Sequence, residues 1–285
     1  MTVSELLSWG TSRLVSSGID KSALEAELLL AETLKTPRLE LLLEKKNRVT
    51  ARQEKVFRKY IQLRAKRIPA GYILKNAFFF GLELYIEKGV LIPRPETELL
   101  VEETLKAVHR SSFIVDSKKI KILDIGTGSG AIAVTLAKNL PQARVTATDI
   151  SAKTLKIARL NARKQKVSKR IEFKKSSLFA GLKKRFDVIV SNPPYVKTGD
   201  FKTLQPEVKY EPRTALFGGK DGLDIYRRMI PLAGDHLVPA GILALEIGYG
   251  QAEAIRALLA REKIFREVDI KKDYSGIERI VIART

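Results

Sequence analysis

The stretch that most restricts what this chain can fold into runs from Lys121 to Asp149. Ile122-Leu123-Asp124-Ile125 reads as a buried strand, and Gly126-Thr127-Gly128-Ser129-Gly130 follows at once. Ala131-Ile132-Ala133-Val134-Thr135-Leu136-Ala137 then reads as a helix, and a second apolar run, Arg144 to Thr148, ends in Asp149. Strand, tight loop, helix and strand in that order form a βαβ unit, which requires a parallel sheet covered by helices. Further strands are expected at Ile171 to Phe173, Phe186 to Val190, Ile242 to Ile247, Glu267 to Ile270 and Arg279 to Ala283. Helices are expected at Ser151 to about Lys164, Leu223 to Asp235, and 251–262. Seven strands, the last pair antiparallel, predict a doubly wound α/β domain.

The glycine loop and Asp149 also carry chemistry. Glycines let backbone approach a ligand closely at a helix N-terminus. The spacing is Gly-x-Gly-x-Gly rather than the dinucleotide fingerprint, so a pyrophosphate site does not follow from it. An acidic residue closing the next strand can accept both hydroxyls of a ribose. Together they describe a nucleoside site without a phosphate clamp, which suits S-adenosylmethionine better than NAD. Ser176-Ser177-Leu178-Phe179 begins a loop where an adenine ring can pack against Leu178.

The strand Val188-Ile189-Val190 runs into Ser191-Asn192-Pro193-Pro194-Tyr195. Two prolines stiffen the exit, because each fixes φ and neither can extend a ladder. Ligands of open α/β sheets bind beyond the carboxyl ends of the strands, where Asn192 and Tyr195 are expected to hang. The Asn192 side-chain oxygen and the Pro193 carbonyl can form a pair of acceptors for a planar NH2 group at roughly 2.9 Å. Tyr195 can offer that group a flat apolar surface. A glutamine amide and the exocyclic amine of a nucleobase both fit. The long stretch 196–221, with Pro206, Pro212, Gly218 and Gly219, has little periodicity, and loops of such length are usually functional or mobile.

Residues 1–75 read as helices only, a small module suited to substrate recognition. Ser4 opens the first helix, which ends near Gly18; Asp20 caps the second; Thr36-Pro37 starts the third; and Thr50 with Gln53 forms a capping box for the fourth, which Ile68-Pro69 ends. Residues 76–92 read as a β-hairpin linker, with Phe78 to Ile86 and Val90 to Ile92 as strands and Glu87-Lys88-Gly89 as the turn. Pro93-Arg94-Pro95-Glu96-Thr97-Glu98 then opens an amphipathic helix whose acidic first turn suits the helix dipole. The second domain is expected to span 93–285.

The absence of cysteine excludes disulfides and thiolate metal sites, and two scattered histidines, His109 and His236, make no case for a metal. No membrane span and no secretory signal are expected, so a cytoplasmic protein follows. The net charge of +20 is concentrated in 44–75 and 151–185, a field that favours nucleic acid, ribosome proximity or an acidic protein partner.

Over nearly its whole length the chain resembles the release-factor glutamine N5-methyltransferases (HemK/PrmC-type), a family of class I S-adenosylmethionine-dependent methyltransferases with a Rossmann-like sheet. The resemblance rests on Leu91-Ile92-Pro93-Arg94-Pro95-Glu96-Thr97-Glu98, Leu123 to Ala133, Ser191 to Tyr195, Tyr210-Glu211-Pro212, and Ala215-Leu216-Phe217-Gly218-Gly219 with Asp221-Gly222-Leu223. It implies that Gly126, Thr127, Gly128, Ser129 and Gly130 border the methionine part of the cofactor. Asp149 would bind its ribose, with Leu178 near the adenine and Asn192 near the reacting centre. Asn192, Pro193, Pro194 and Tyr195 would hold the substrate, with Asn192, Pro193 and Tyr195 catalytic. The substrate would be the glutamine of a Gly-Gly-Gln loop in peptide chain release factors, which tend to be acidic. Many relatives carry an acidic residue where Ser177 stands and an aromatic at Leu178. Two other readings stay open on the residues alone: a methyltransferase acting on adenine or guanine amines of RNA or DNA, and a non-catalytic nucleoside-binding module.

Overall fold

The computed structural model describes residues 1–43, 45–111 and 119–285. The chain divides into two units, 1–76 with 205–210, and 77–204 with 211–285.

The first unit is helical. Helix α1 (Val3–Val15) starts one residue before the expected Ser4, because Thr2 and Glu5 form a reciprocal capping box that satisfies two otherwise orphaned N–H groups. Helix α2 (Ser22–Leu34) has no side-chain cap; Asp20 does not serve as one, and the Ser22 hydroxyl instead donates back to the Ile19 carbonyl. Helix α3 (Arg38–Leu43) follows Pro37, and α4 (Ala51–Ala65) opens on the expected Thr50–Gln53 box. A fifth helix, α5 (Ala70–Leu74), is too short to have shown periodicity in the sequence. Leu6, Leu14, Leu29, Leu30, Phe57 and Ile61 form the core. Two cations of the basic tract turn inward: Arg64 pairs with Glu25 and, at 2.7 Å, with Glu207, and Arg67 meets Glu207 at 2.9 Å. These pairs and the Tyr210 hydroxyl on the Lys66 carbonyl hold 205–210 in this unit.

The hairpin differs from expectation. Its strands are β1 (Asn76–Phe79) and β2 (Leu82–Tyr85), and the turn is Phe80-Gly81, both with positive φ, as a tight two-residue hairpin requires. The turn expected at Glu87-Lys88-Gly89 is present, closed by the Val90 N–H on the Glu87 carbonyl at 3.2 Å, but 90–92 carries no strand, so it is not the turn of the hairpin. The Phe80 N–H donates to Glu98, and the Asn161 side chain binds both the N–H and the carbonyl of Tyr85, so the hairpin rests on the second unit's helices.

That unit is built on a seven-stranded sheet of order β5-β4-β3-β6-β7-β9-β8. Its strands are β3 (Ile120–Ile125), β4 (Ala143–Asp149), β5 (Ile171–Lys175), β6 (Phe186–Ser191), β7 (Leu237–Glu246), β8 (Glu267–Lys272) and β9 (Glu278–Arg284). The first five are parallel and β9 runs antiparallel to both neighbours. Alternate residues face opposite cores, as the pleat demands. Ile122, Val188 and Ile242 pack with α6 (Pro95–Arg110) and α7 (Ala131–Asn139). Leu123, Ile189 and Leu243 pack with α9 (Asp224–His236) and α10 (Ala252–Arg261). Helix α8 (Ala152–Lys164) lies after β4. From β3 the chain winds outward through β4 and β5, then returns to lay β6 on the other side of β3. That reversal makes the carboxyl ends of β3 and β6 the topological switch point. Among the described residues no helix is long and apolar enough to cross a membrane.

Candidate active site

Two loops leave the switch point side by side. Ile125 pairs with Ser191 in the β3–β6 ladder, and the Ser191 hydroxyl donates to the Ile125 carbonyl at 2.8 Å. The glycine loop therefore starts level with the Asn-Pro-Pro-Tyr corner. Around them opens a cavity of about 270 Å³ lined by Gly126 to Ser129, Asp149, Leu178, Asn192, Pro193 and Pro194. It is also lined by Val90 to Leu91, Pro93, Thr97, Ile150, Ser176, Ser177, Pro212, Thr214, Ala215 and Arg228.

Asp124, at the end of β3, shapes the loop from below. Its buried carboxylate accepts the Thr127 hydroxyl at 2.6 Å and the Ala133 N–H at 3.2 Å. Burial pushes its pKa up to about 7 against the pull of those donors, and its other oxygen is buried without a partner. Gly126, Gly128 and Gly130 all have positive φ. A Cβ on Gly126 would project into open space and one on Gly130 would meet Ala158 at 3.1 Å. The last glycine thus serves helix packing, and it does not line the cavity. Asp149 lies on the far side of the loop, where its carboxylate accepts the N–H groups of Gly128 at 3.1 Å and Ser151 at 2.9 Å. Burial raises its pKa and those N–H donors oppose the rise.

Asn192 lines the cavity, and one end of its amide is tied down. Its Nδ2 donates to Thr97 Oγ1 at 2.9 Å, while among the described residues no group donates to its Oδ1 or to the Pro193 carbonyl. Asn192 and Pro193, expected from sequence to supply a pair of acceptors, both line the cavity. Tyr195 does not line the cavity. Its ring packs into the core beneath α9 and its hydroxyl donates to Glu246 at 3.2 Å, so it braces the corner from behind. Burial, reinforced by Glu246, raises the Tyr195 pKa.

Behind the corner, the expected long loop proves to be pinned. The Val196 N–H donates to the Leu216 carbonyl and the Gly218 N–H to the Val196 carbonyl, while Gln251 reaches the carbonyls of Tyr195 and Gly222. Glu211, 1% exposed at its side chain, pairs with Arg94 and accepts the Ile92 N–H at 3.0 Å. These links hold the Pro-Arg-Pro segment on the cavity's rim. Sequence reasoning missed Ile150, an apolar residue 54% exposed beside Asp149, whose position directly after the strand-closing acid was the available signal. It also missed Thr97 as a partner of Asn192, since nothing local relates residues so far apart in the chain. No cluster of three or more His, Asp or Glu able to hold a metal occurs among the described residues.

Known proteins resemble this chain in sequence and fold. A family model described as methyltransferase small domain matches residues 97–207, and one described as PrmC N-terminal domain matches 5–74. Among solved structures, a methyltransferase from Pyrococcus furiosus superposes with a TM-score of 0.52 at 22% identity, covering 72% of this chain and 89% of that one. A 16S rRNA methyltransferase of T. thermophilus, solved with AdoMet and guanosine, gives 0.53 at 20% identity over 74% of this chain and 49% of that one. Both likenesses concern the fold. Release factor glutamine methyltransferase of Geobacter sulfurreducens is 40% identical across 99% of this chain and 96% of its own length. The enzyme of that name from Bacillus anthracis is 37% identical over 99% of each chain. Identity at that level over both units, helical module included, means that the chain belongs to the release factor glutamine methyltransferase family.

Proposed function

We propose that this protein transfers a methyl group from S-adenosylmethionine to the side-chain amide nitrogen of the glutamine in the Gly-Gly-Gln loop of peptide chain release factors. The observation that carries the proposal is the pair of unpartnered acceptors, Asn192 Oδ1 and the Pro193 carbonyl, on the wall that also holds the glycine loop. The residues present fit the cofactor. Gly126 leaves space where a side chain would intrude, Asp149 offers carboxylate oxygens to a ribose, and Ile150 and Leu178 offer apolar cover to a nucleobase. Asp149 would hold the ribose, Gly126 to Ser129 the methionine portion, and Ile150 with Leu178 the adenine.

S-adenosylmethionine supplies a methyl group made electrophilic by its sulfonium. The glutamine nitrogen is a poor nucleophile, because its lone pair is delocalised into the carbonyl. Asn192 Oδ1 and the Pro193 carbonyl accept its two N–H groups, raise electron density on nitrogen and favour its pyramidal form. With the cofactor bound, the nitrogen would form the new bond to the methyl carbon while the carbon–sulfur pair went to sulfur, and the surplus proton would leave to water. Orientation of this kind contributes on the order of 7–11 kcal/mol, so no strong general base is required.

Methyl-labelled cofactor incubated with release factor and with ribosomal RNA tests the reading. Label is expected on the release factor, and Asn192→Ala should lower the transfer rate by about 100-fold or more while leaving cofactor affinity within a few-fold. Label on RNA alone refutes the assignment. Equal losses of rate and affinity make Asn192 a cofactor ligand instead.

A further inference from the structure

The acceptor pair works only if Asn192 turns its oxygen, not its NH2, toward the cavity. The two ends of a carboxamide are nearly equal in size, so packing alone does not choose between them. Here the choice is made by a relay. Asn192 Nδ2 donates to Thr97 Oγ1 at 2.9 Å, and Thr97 Oγ1 donates to Glu246 Oε2 at 2.7 Å. A hydroxyl has one proton. Once it is committed to a carboxylate, Thr97 meets Asn192 with lone pairs only, and the NH2 end is the end that can bind them. We infer that Thr97 and Glu246 are positioning residues that set the orientation of the Asn192 amide and thereby aim its oxygen at the substrate nitrogen. The inference rests on the methyl-transfer reading above and adds to it the groups that make the acceptor an acceptor.

Glu246 suits the task. It closes β7, next to β6, and is fully buried. Its Oε1 accepts the Tyr195 hydroxyl at 3.2 Å, and the Tyr226 hydroxyl fixes its backbone carbonyl at 2.7 Å. Both side-chain oxygens thus face donors, which is the pattern of the ionised form. The charged and titratable groups around it are Glu96 beside Thr97 on α6, Tyr195 after β6, Tyr226 on α9 and Arg279 on β9. Burial and Glu96 push the Glu246 pKa up to about 7, while the Thr97 and Tyr195 hydroxyls and Arg279 pull it down. When Glu246 takes a proton it becomes a donor to Thr97. Thr97 then turns its own proton to Asn192, the amide reverses, and an NH2 group faces the substrate NH2. Methyl transfer should therefore weaken as pH falls through the Glu246 pKa.

The test measures single-turnover methyl transfer to release factor by the full chain from pH 6 to 9, together with the affinity for S-adenosylhomocysteine. The wild-type and Asn192→Ala proteins are run first; if the wild type does not label release factor, the methyl-transfer reading has failed rather than the relay. Thr97→Val, which keeps shape and removes the hydroxyl, should lower the rate by about 100-fold with product affinity within threefold, and Thr97→Ser should restore most of it. The wild-type rate should fall about tenfold per pH unit below the midpoint. Glu246→Gln, whose oxygen can still accept from Thr97 while its NH2 faces the Tyr195 oxygen, should lose that acid limb. A Thr97→Val protein with unchanged rate overturns the relay, and so does a Glu246→Gln protein that keeps the wild-type pH profile. Should Glu246→Gln not fold, the Thr97 pair decides alone.

Discussion

Gly218→Ala is a demanding test of how rigidly the corner must be held. A Cβ on Gly218 would lie 2.8 Å from the Pro194 carbonyl oxygen, 2.8 Å from Tyr195 Cα and 2.7 Å from the Gly222 carbonyl oxygen. All three are backbone atoms, so no side chain can swing aside. Ordinary contacts of these kinds begin between about 3.2 and 3.7 Å, so backbone must move by roughly 0.5–1 Å. The Gly218 N–H is bonded to the Val196 carbonyl at 2.9 Å and the Val196 N–H to the Leu216 carbonyl at 2.8 Å, which couples the glycine to the strand of chain that carries the corner. The displacement therefore passes to Pro193 and Asn192. A misplacement near 1 Å costs on the order of 100-fold in rate, and overpacking costs about 1–3 kcal/mol in stability. We expect a 10- to 100-fold loss of single-turnover rate with release factor, and cofactor affinity within about threefold because the glycine loop is untouched. Gly199→Ala is the control: it lies in the same 196–221 stretch, and its Cβ would meet nothing within 4 Å. A Gly218→Ala protein that folds and keeps the wild-type rate, or a Gly199→Ala protein that loses as much, refutes the argument.

Three further outcomes follow from the same geometry. Asp149→Asn should weaken cofactor binding by roughly 10- to 100-fold, the worth of hydrogen bonds to a charged acceptor, with little change in rate at saturation; calorimetry with S-adenosylhomocysteine measures it. Asp124 and Glu246 have folded-state pKa values pushed up to about 7, above their unfolded values, so the folded state holds protons that the unfolded chain releases. Their contribution to stability is largest at low pH and is lost as pH rises toward and through 7, so urea unfolding should show a loss of several kcal/mol between pH 5.5 and 8 that Asp124→Asn reduces. Finally, if the +20 charge steers an acidic substrate, the second-order rate with release factor should fall as salt rises while the saturated rate holds; a salt-independent rate assigns the charge another role.

The sheet, its antiparallel end and the two site loops were legible because each is announced locally. A buried strand, a glycine or proline exit and an amphipathic helix follow one another within a few residues. What escaped depends on which way a side chain points or what lies opposite it. The hairpin turn was placed at Glu87-Lys88-Gly89 because an aromatic residue in left-handed backbone, as at Phe80, is not something a sequence advertises. Asp20 looked like a cap and is not one, while Thr2 caps because Glu5 answers it. Tyr195 was read as a surface for the substrate, yet the same residue can face either way from a turn, and here Glu246 draws it inward. Thr97 and Glu246 meet across 149 positions of sequence, a distance over which no periodicity runs.

Tyr195's inward turn bears on the substrate. A pair of acceptors cannot by itself tell a glutamine amide from the exocyclic amine of adenine or guanine, since both present a flat NH2. Enzymes that act on bases commonly hold the ring by stacking on aromatic or broad apolar side chains. The cavity here is lined near the corner by Pro93, Thr97, Pro194, Pro212, Thr214 and Ala215, and none of its lining residues is aromatic. Such walls suit a slender aliphatic side chain ending in an amide, which needs its terminus aimed and little else gripped. We propose that the helical module, matched along 5–74 by a model described as PrmC N-terminal domain, is the protein surface that a loop-borne glutamine requires and a lone nucleobase does not. Selectivity on this account is divided: the corner chooses a planar nitrogen, the walls exclude the need for a ring, and the identity of the protein is read elsewhere. Efficient methylation of free adenosine or guanosine by this chain would break the second of those steps, and with it the argument that the shape of the cavity, rather than docking alone, favours glutamine.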